Sequence, residues 1–302
     1  MASPPRIRWR DALDLKLRTE SQAPVISNYR IAVELLQLIT QEEYAGRRLI
    51  HPRRPVDRRM FYEARSNLVK RGALLTDRGL PNTILRFPGT KGSDAGEQMC
   101  AIDPFGYIGY LSAMAFHGLT NRLPKILFFI TPEASLWGQM AAEKMKRDLG
   151  LLEDAFIQAE LPVLRHSKID KLETATVEEI RTKNPGGWRV ASGGAIRVTT
   201  LARTFLDMLQ RPDLSGGIRH VIEVFEENAK PHLTSIISEL NSSGAKIDRV
   251  RAGYILEEYC GIRDSRIDNW VVDAARGGSR KLDAQAEYSP KFSEKWCLSI
   301  NV

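Results

Sequence analysis

The sequence predicts a mixed α+β protein built as a small, mostly helical N-terminal module and a larger body in which strands and helices alternate. Three observations carry this prediction. Short apolar runs of strand length, such as 126–130, alternate with stretches whose apolar residues recur every three or four positions. At 302 residues the chain exceeds the usual size of one domain. Positive charge is confined to one end: residues 1–90 carry 17 Lys and Arg against 9 Asp and Glu, a net of +8, whereas the whole chain carries +7, so residues 91–302 sum to −1. Between Arg47 and Arg59 six arginines and a histidine surround a single acid, as Arg47, Arg48, His51, Arg53, Arg54, Asp57, Arg58 and Arg59. A basic end on a near-neutral body is the footprint of a protein that grips a polyanion.

Residues 1–22 read as a basic arm. Arg6, Arg8, Arg10, Lys16 and Arg18 alternate there with Ile7, Trp9, Leu13, Leu15 and Leu17. Such an arm is expected to pack on a neighbour or to be partly disordered. A helical pattern opens at 27, where Ser27 or Asn28 can cap a stripe of Ile31, Leu35 and Leu38. Gly46 and Pro52 interrupt the pattern and leave room for a short helix in 43–50. A further helix is expected over 57–71, capped by Asp57 and stopped by Gly72. Phe61, Ala64 and Leu68 share its inner face. Arg59, Tyr62, Glu63, Ser66 and Lys70 lie opposite, with Arg58 and Asn67 at the edges. Two extended pieces, 73–76 and 83–87, follow, joined by the turn formers Asp77-Arg-Gly-Leu-Pro-Asn82.

Three helices and a hairpin are the order of a winged helix-turn-helix, whose third helix enters the major groove of double-stranded DNA. The domain is expected over 23–90, with the hairpin tip, Arg78 and Asn82, touching the adjacent backbone or minor groove. The candidate DNA contacts are Arg47, Arg48, Arg53, Arg54, Arg58, Arg59, Tyr62, Ser66, Lys70 and Arg78. Arg59 suits a guanine edge and Asn67 an adenine. Glu63 can accept from a cytosine amine or orient Arg59 or Lys70. The remaining cations would hold phosphates, which gives affinity and salt dependence without sequence information.

A linker is expected at 91–97, within a stretch rich in Gly, Ser and Thr. The second domain, 98–302, is a larger mixed α+β body. It reads as a helix at 107–117, a buried strand at 125–131, a helix at 136–149 and strands at 161–166, 188–191 and 195–198. Helices at 200–209, 217–229, 231–240 and 247–260 follow, then a strand-like tail at 296–300. The pair 231–240 and 247–260, with Arg249, Arg251 and Tyr254, resembles a second helix-turn-helix, but the near-neutral charge of this half favours a packing or protein-contact role.

Several function classes find no support. Cys100, Cys260 and Cys297 form no C-x-x-C pair, so neither a zinc site nor a disulfide framework is indicated, and reduced thiols in the cytoplasm are expected. No signal-peptide segment opens the chain, and the longest apolar run is too short to span a membrane. His51, His117, His166, His220 and His232 show no metal-ligand spacing. The glycines at 193–194 precede a strand and those at 216–217 a helix, neither with a nucleotide-binding signature, so turns and caps explain them and no cofactor is expected. Pro212-Asp213 resembles half of a restriction-nuclease motif, but the Asp/Glu-x-Lys half is missing. No catalytic residues are assigned, and an enzyme is not expected.

Four runs carry a resemblance to a known family. They are Tyr110-Leu-Ser-Ala-Met-Ala-Phe-His-Gly-Leu-Thr120, Gly194-Ala-Ile-Arg-Val-Thr-Thr-Leu-Ala-Arg-Thr-Phe-Leu-Asp-Met-Leu209, Arg211-Pro-Asp-Leu-Ser-Gly-Gly-Ile-Arg-His-Val-Ile-Glu-Val-Phe-Glu226 and Ala286-Glu-Tyr-Ser-Pro-Lys-Phe-Ser-Glu-Lys-Trp296. Together they resemble AbiEi, the antitoxin family of the type IV toxin–antitoxin systems of abortive infection, a phage defence. The likeness covers most of 28–302. It implies an N-terminal winged helix that represses its own operon, with Arg58, Arg59, Tyr62 and Ser66 on the operator-facing helix. It also implies a C-terminal antitoxin domain that counters a co-encoded nucleotidyltransferase-like toxin and need not form a stable complex with it. Arg203, Arg219 and His220 lie in the matching runs and are the candidates for the antitoxin surface. The family supplies no catalytic residues to transfer, and the 1–22 arm is longer than the resemblance implies. Two alternatives stay open: a stand-alone winged-helix regulator with a ligand-sensing second domain, and a DNA-targeted nuclease or nucleotide-modifying enzyme.

Overall fold

The computed structural model describes residues 5–52, 54–122, 124–191, 193–274 and 280–302. The protein is α+β, and its contacts fall into two compact units. The first comprises Met1–Tyr107, Phe129–Pro185 and Ala191–Ile196; the second comprises Ile108–Phe128, Gly186–Val190 and Arg197–Val302.

The first unit departs from expectation at its start. In place of an arm there is a strand, Arg6–Arg8, and a helix, Trp9–Glu20. Trp9, Ala12, Leu13 and Leu17 recur at helical spacing and are buried, while the charged residues between them pair along the surface, Arg18 with Asp14 and Lys16 with Glu20. The basic alternation read as an arm is thus the polar side of an amphipathic helix. A strand Val25–Ser27 leads into the helix Asn28–Thr40, where Ser27 Oγ accepts from the Arg30 amide at 3.2 Å. The short helix expected in 43–50 is instead a hairpin, Glu43–Tyr44 with Arg47–Ile50. Its two-residue turn, Ala45-Gly46, has φ of 50° and 69°. Positive φ at both central positions matches the twist of a tight hairpin, and glycine adopts it without strain. The Arg6–Arg8 strand adds to Arg47–Ile50 in parallel.

The helix Arg58–Lys70 forms as expected. Asp57 Oδ1 accepts from the Met60 amide at 2.7 Å, and Met60, Phe61, Ala64 and Leu68 face the core. The pieces expected as a hairpin meet at one bridge, Leu75 with Arg86. The fuller partner of Ile84–Arg86 is Val25–Ser27, antiparallel. Asp77 organises the turn between them by accepting from the Gly79 amide at 2.9 Å.

Residues 91–97, expected as a linker, lie inside this unit, and the helix Ala95–Ile102 starts among them, capped by Asp94. The unit continues with the helices Ala134–Leu149 and Glu153–Gln158 and the antiparallel strands Lys171–Leu172 and Ala175–Thr182. Residues 161–166, expected as a strand, form none. One apolar cluster joins Leu13, Ile31, Leu35 and Phe61 to Trp137, Phe156, Leu161 and Leu164. Tyr29 Oη donates to Asp148 at 2.8 Å and Gln37 to the Asp148 carbonyl at 2.9 Å. Segments 1–107 and 129–185 therefore share a core, a division different from the expected cut at 91–97.

In the second unit Trp188–Val190 pairs antiparallel with Arg197–Thr199, and Val198 pairs with Ile108. Leu201–Gln210 is capped by Thr200 Oγ1. The helices expected at 217–229 and 231–240 are one helix, Ile218–Ser243, with Pro231 inside it. An interior proline removes a backbone hydrogen bond. The continuous buried stripe of Ile222, Phe225, Ala229, Ile236 and Leu240 offsets that loss. The following helix, Lys246–Tyr254, widens into a π-turn at Ile255–Tyr259. Trp296 is fully buried and donates to Glu257 at 2.7 Å, and a Cβ on Gly253 would lie 2.2 Å from its ring, so this position requires glycine. No helix among the described residues is long and apolar enough to cross a membrane.

Leu13→Ala tests whether the first helix belongs to the core. Its side chain is 1% exposed, so the truncation should cost about 2–5 kcal/mol in urea unfolding. A change near zero would return residues 9–20 to the status of an arm.

Candidate nucleic-acid interface

The helix Arg58–Lys70 turns Arg58, Arg59, Tyr62, Ser66 and Lys70 to solvent, because the core claims Met60, Phe61, Ala64 and Leu68 at the intervening positions. A shallow cleft runs over this face, lined by Arg10, Arg59, Tyr62, Glu63, Ser66, Asn67 and Lys70. Glu63 is its one carboxylate. Arg54 donates to it at 2.8 Å and Arg59 at 3.1 Å, and Arg10 stands 3.7 Å away. Desolvation works to raise the Glu63 pKa, but the hydrogen bonds from Arg54 and Arg59 prevail and hold the carboxyl below its ordinary range. Of the roles open to Glu63, orienting Arg59 matches this geometry; Lys70 is not its partner. Tyr62 packs edge-on against Phe61, and the Arg58 guanidinium lies 6.0 Å from the Tyr62 ring centre. Arg58 also faces Glu160 at 4.0 Å, an exposed pair of little energetic weight.

The structure thus gathers Arg54, Arg58, Arg59, Tyr62, Ser66 and Lys70 on and around one helix face. Arg47 and Arg48 are exposed on the Arg47–Ile50 strand and do not line the cleft. Arg78 is exposed in the 77–82 turn and lines a separate depression together with Lys168 and Lys171. Arg53 lies outside the described residues. Two residues escaped the sequence reading. Arg10 was assigned to the arm, although it sits in the first turn of a helix whose next apolar residues are three and four positions apart. Arg65 bridges Asn28 Oδ1 at 3.0 Å and the Asn82 carbonyl at 2.7 Å, fixing the helix to the turn that follows it. Its position beside the inner stripe was the available signal.

In the second unit the three candidate antitoxin-surface residues sit in different settings. Arg203 is half-buried, donates to Asp207 at 2.7 Å and approaches Glu239 at 3.8 Å. His220 is buried between Thr120 Oγ1 at 2.9 Å and Glu223 at 3.2 Å. Arg219 is exposed. The acids considered for hydrolytic chemistry are engaged by arginines, Asp207 by Arg203 and Asp213 by Arg211 at 2.7 Å. Burial pushes the Asp207 carboxyl up to about 6 against the attraction of Arg203, and its Oδ2 has no hydrogen-bond partner among the described residues. Burial also lowers the pKa of His117, which contacts the Thr199 carbonyl at 2.6 Å. No group of three His, Cys, Asp or Glu residues among those described is placed to hold a metal ion. No protein-family model and no curated protein matches the chain.

The Asp207 shift has a defined sign. A carboxyl whose pKa is higher folded than unfolded favours the fold fully below the unfolded value, 3.8, and loses that contribution as pH rises through about 6. Asn at this position does not titrate. The stability of the native chain relative to Asp207→Asn, from urea unfolding at stepped pH, should therefore fall between pH 4 and pH 7. A flat difference would show that Arg203 compensates the burial in full.

Proposed function

We propose that this chain is a winged-helix repressor that binds operator DNA through the helix Arg58–Lys70 and is the antitoxin of a type IV toxin–antitoxin system. The observation that carries the DNA half is the exposed face of that helix, where Arg58, Arg59 and Lys70 face solvent and Arg10, Arg54 and Arg59 converge on one carboxylate. The element order supports it. Helix 9–20, strand 25–27, helices 28–40 and 58–70 with the 43–50 hairpin between them, and then strand 84–86 pairing with strand 25–27 and bridged by Leu75 follow the order of a winged helix. The helix 9–20 supplies the first member, so the region extends further towards the N-terminus than 23. The 77–82 turn stands where the wing would be, and Arg65 ties it to the recognition helix.

On this reading Arg59 and Asn67 are the side chains for base edges, with Glu63 holding Arg59 in position. Arg54, Arg58 and Lys70 hold phosphates. The antitoxin half rests on the resemblance of 110–120, 194–209, 211–226 and 286–296 to the AbiEi family. Its functional partner would be a co-encoded nucleotidyltransferase-like toxin, and of the candidates only Arg219 is freely exposed to meet one.

The full-length chain should retard a duplex carrying the sequence upstream of its own gene, with affinity falling steeply as salt rises. Reversing both cations in Arg58→Glu/Arg59→Glu should weaken that binding by two orders of magnitude or more, on the order expected for inverted phosphate and base contacts. The same variant should still rescue growth when the adjacent toxin gene is expressed. Undiminished retardation would remove the helix from the interface, and lost rescue would tie neutralisation to DNA binding.

A further inference from the structure

Four exposed arginines of the first unit's neighbourhood are matched to acids: Arg18 to Asp14, Arg30 to Glu34, Arg59 to Glu63 and Arg71 to Asp11. The small sheet at the N-terminus breaks that habit. Ile7 is buried, so Arg6 and Arg8, on either side of it, share the outward face. Leu49 is buried on the neighbouring strand, so Arg48 also points outward, and the register sets Arg48 level with Arg6. Adjacent strands lie about 4.8 Å apart, so the backbone ladder holds like charges side by side, an arrangement that repels. Glu43 stands opposite Arg48 in the hairpin register, yet forms no ion pair with it. No described acid lies within ion-pair distance of Arg6, Arg8 or Arg48. The chain leads from this sheet to the cleft. Arg8 immediately precedes the helix Trp9–Glu20, and Arg10, two residues on, reaches Glu63.

We propose that Arg6, Arg8 and Arg48 form a second phosphate-binding surface, which clamps the DNA backbone beside the groove entered by the helix Arg58–Lys70. The inference rests on the DNA-binding reading above and adds to it a surface made by the first strand. Its chemistry is that of phosphate and not of bases: the three guanidiniums present donors to a charged backbone, and no amide or carboxylate among the described residues is bonded to them to orient them for base edges. A polyanion also removes the repulsion that the ladder imposes. The competing role for these charges is to keep the edge strand Arg6–Arg8 from pairing with another chain, which charged edge residues commonly do.

The two roles separate in the full-length Arg6→Gln/Arg8→Gln variant. A phosphate clamp predicts that affinity for the upstream duplex and for an unrelated duplex of equal length falls by the same factor, on the order of tenfold, and that the slope of log K against log salt drops by about two. Arg48→Gln, on the partnered inner strand, should lower the slope by about one, which keeps the test valid if the double variant folds poorly. Arg6→Lys/Arg8→Lys should keep the slope. If the native chain binds DNA and Arg58→Glu/Arg59→Glu abolishes binding, while both Gln variants leave affinity and slope unchanged, the clamp is wrong and the arginines guard an edge. A loss confined to the upstream duplex also overturns it, since phosphates carry no sequence. If the native chain binds no DNA, the reading beneath it fails instead.

Discussion

A buried guanidinium, that of Arg86, holds the first unit in register. The residue is 4% exposed and every nitrogen is engaged: Nε donates to Asp77 at 2.8 Å, Nη1 to the Thr90 carbonyl at 3.1 Å and Nη2 to Gln98 at 3.0 Å, with Glu173 at 3.6 Å. These partners come from the turn after the 58–70 helix, the loop at 88–90, the helix Ala95–Ile102 and the 171–176 hairpin. A buried cation tolerates no vacancy among its acceptors, because removing one partner strands the charge at a cost of about 3–5 kcal/mol. Three neighbouring stretches and the distant 171–176 hairpin must therefore assemble together. That requirement places the turn carrying Arg78 against a fixed frame and makes residues 88–98 structural.

The surface charge follows a different logic. Burial compels Arg86 to be satisfied, whereas exposed arginines are free to be unpaired, because water solvates them. Where such arginines are nonetheless matched to acids, as Arg59 is to Glu63, the pairing adds little stability but fixes a side-chain direction. Glu63 does this for Arg54 and Arg59 at once, turning flexible cations into oriented ones on the helix face. Unmatched arginines on the neighbouring sheet keep their full charge for a ligand. Orientation suits base recognition and unmatched charge suits phosphate, so under the proposed function the two classes of arginine divide along the two demands of DNA binding.

What the sequence made legible was whatever depended on neighbours within one helical turn. Asp57 and Ser27 cap helices where their carboxylate or hydroxyl reaches an amide three residues on, and the stripe of Phe61, Ala64 and Leu68 declares the buried face of 58–70. What stayed hidden depended on distant partners. Residues 43–50 carry no strong preference, and the hairpin forms because Ala45-Gly46 can turn tightly and Arg6–Arg8 pairs alongside. Pro231 signals a break, yet apolar residues on both sides of it face one core and carry the helix through. Of the candidate site, the residues on one helix face were legible together. The contribution of Arg10 was not, because charge dominated the reading of 1–22 while Trp9, Leu13 and Leu17 decided its structure.

The shared core also constrains how the two proposed activities can be told apart. Trp137, Phe156, Leu161 and Leu164 pack in the same cluster as Leu13, Leu35 and Phe61. A fragment beginning at residue 98 would lose most of that cluster, along with the Tyr29 and Gln37 hydrogen bonds to Asp148 and the Arg86 hub. It would expose a large apolar surface, and a failure to neutralise a toxin would then report unfolding. The exposed arginines offer the cleaner separation, because surface charges away from the core can be changed while the packing beneath them stays intact. The proposed DNA grip is a property of side chains on one face, whereas the frame that presents them runs to residue 185 and beyond. Separation of function in this protein must therefore be sought among surface substitutions and not by cutting the chain.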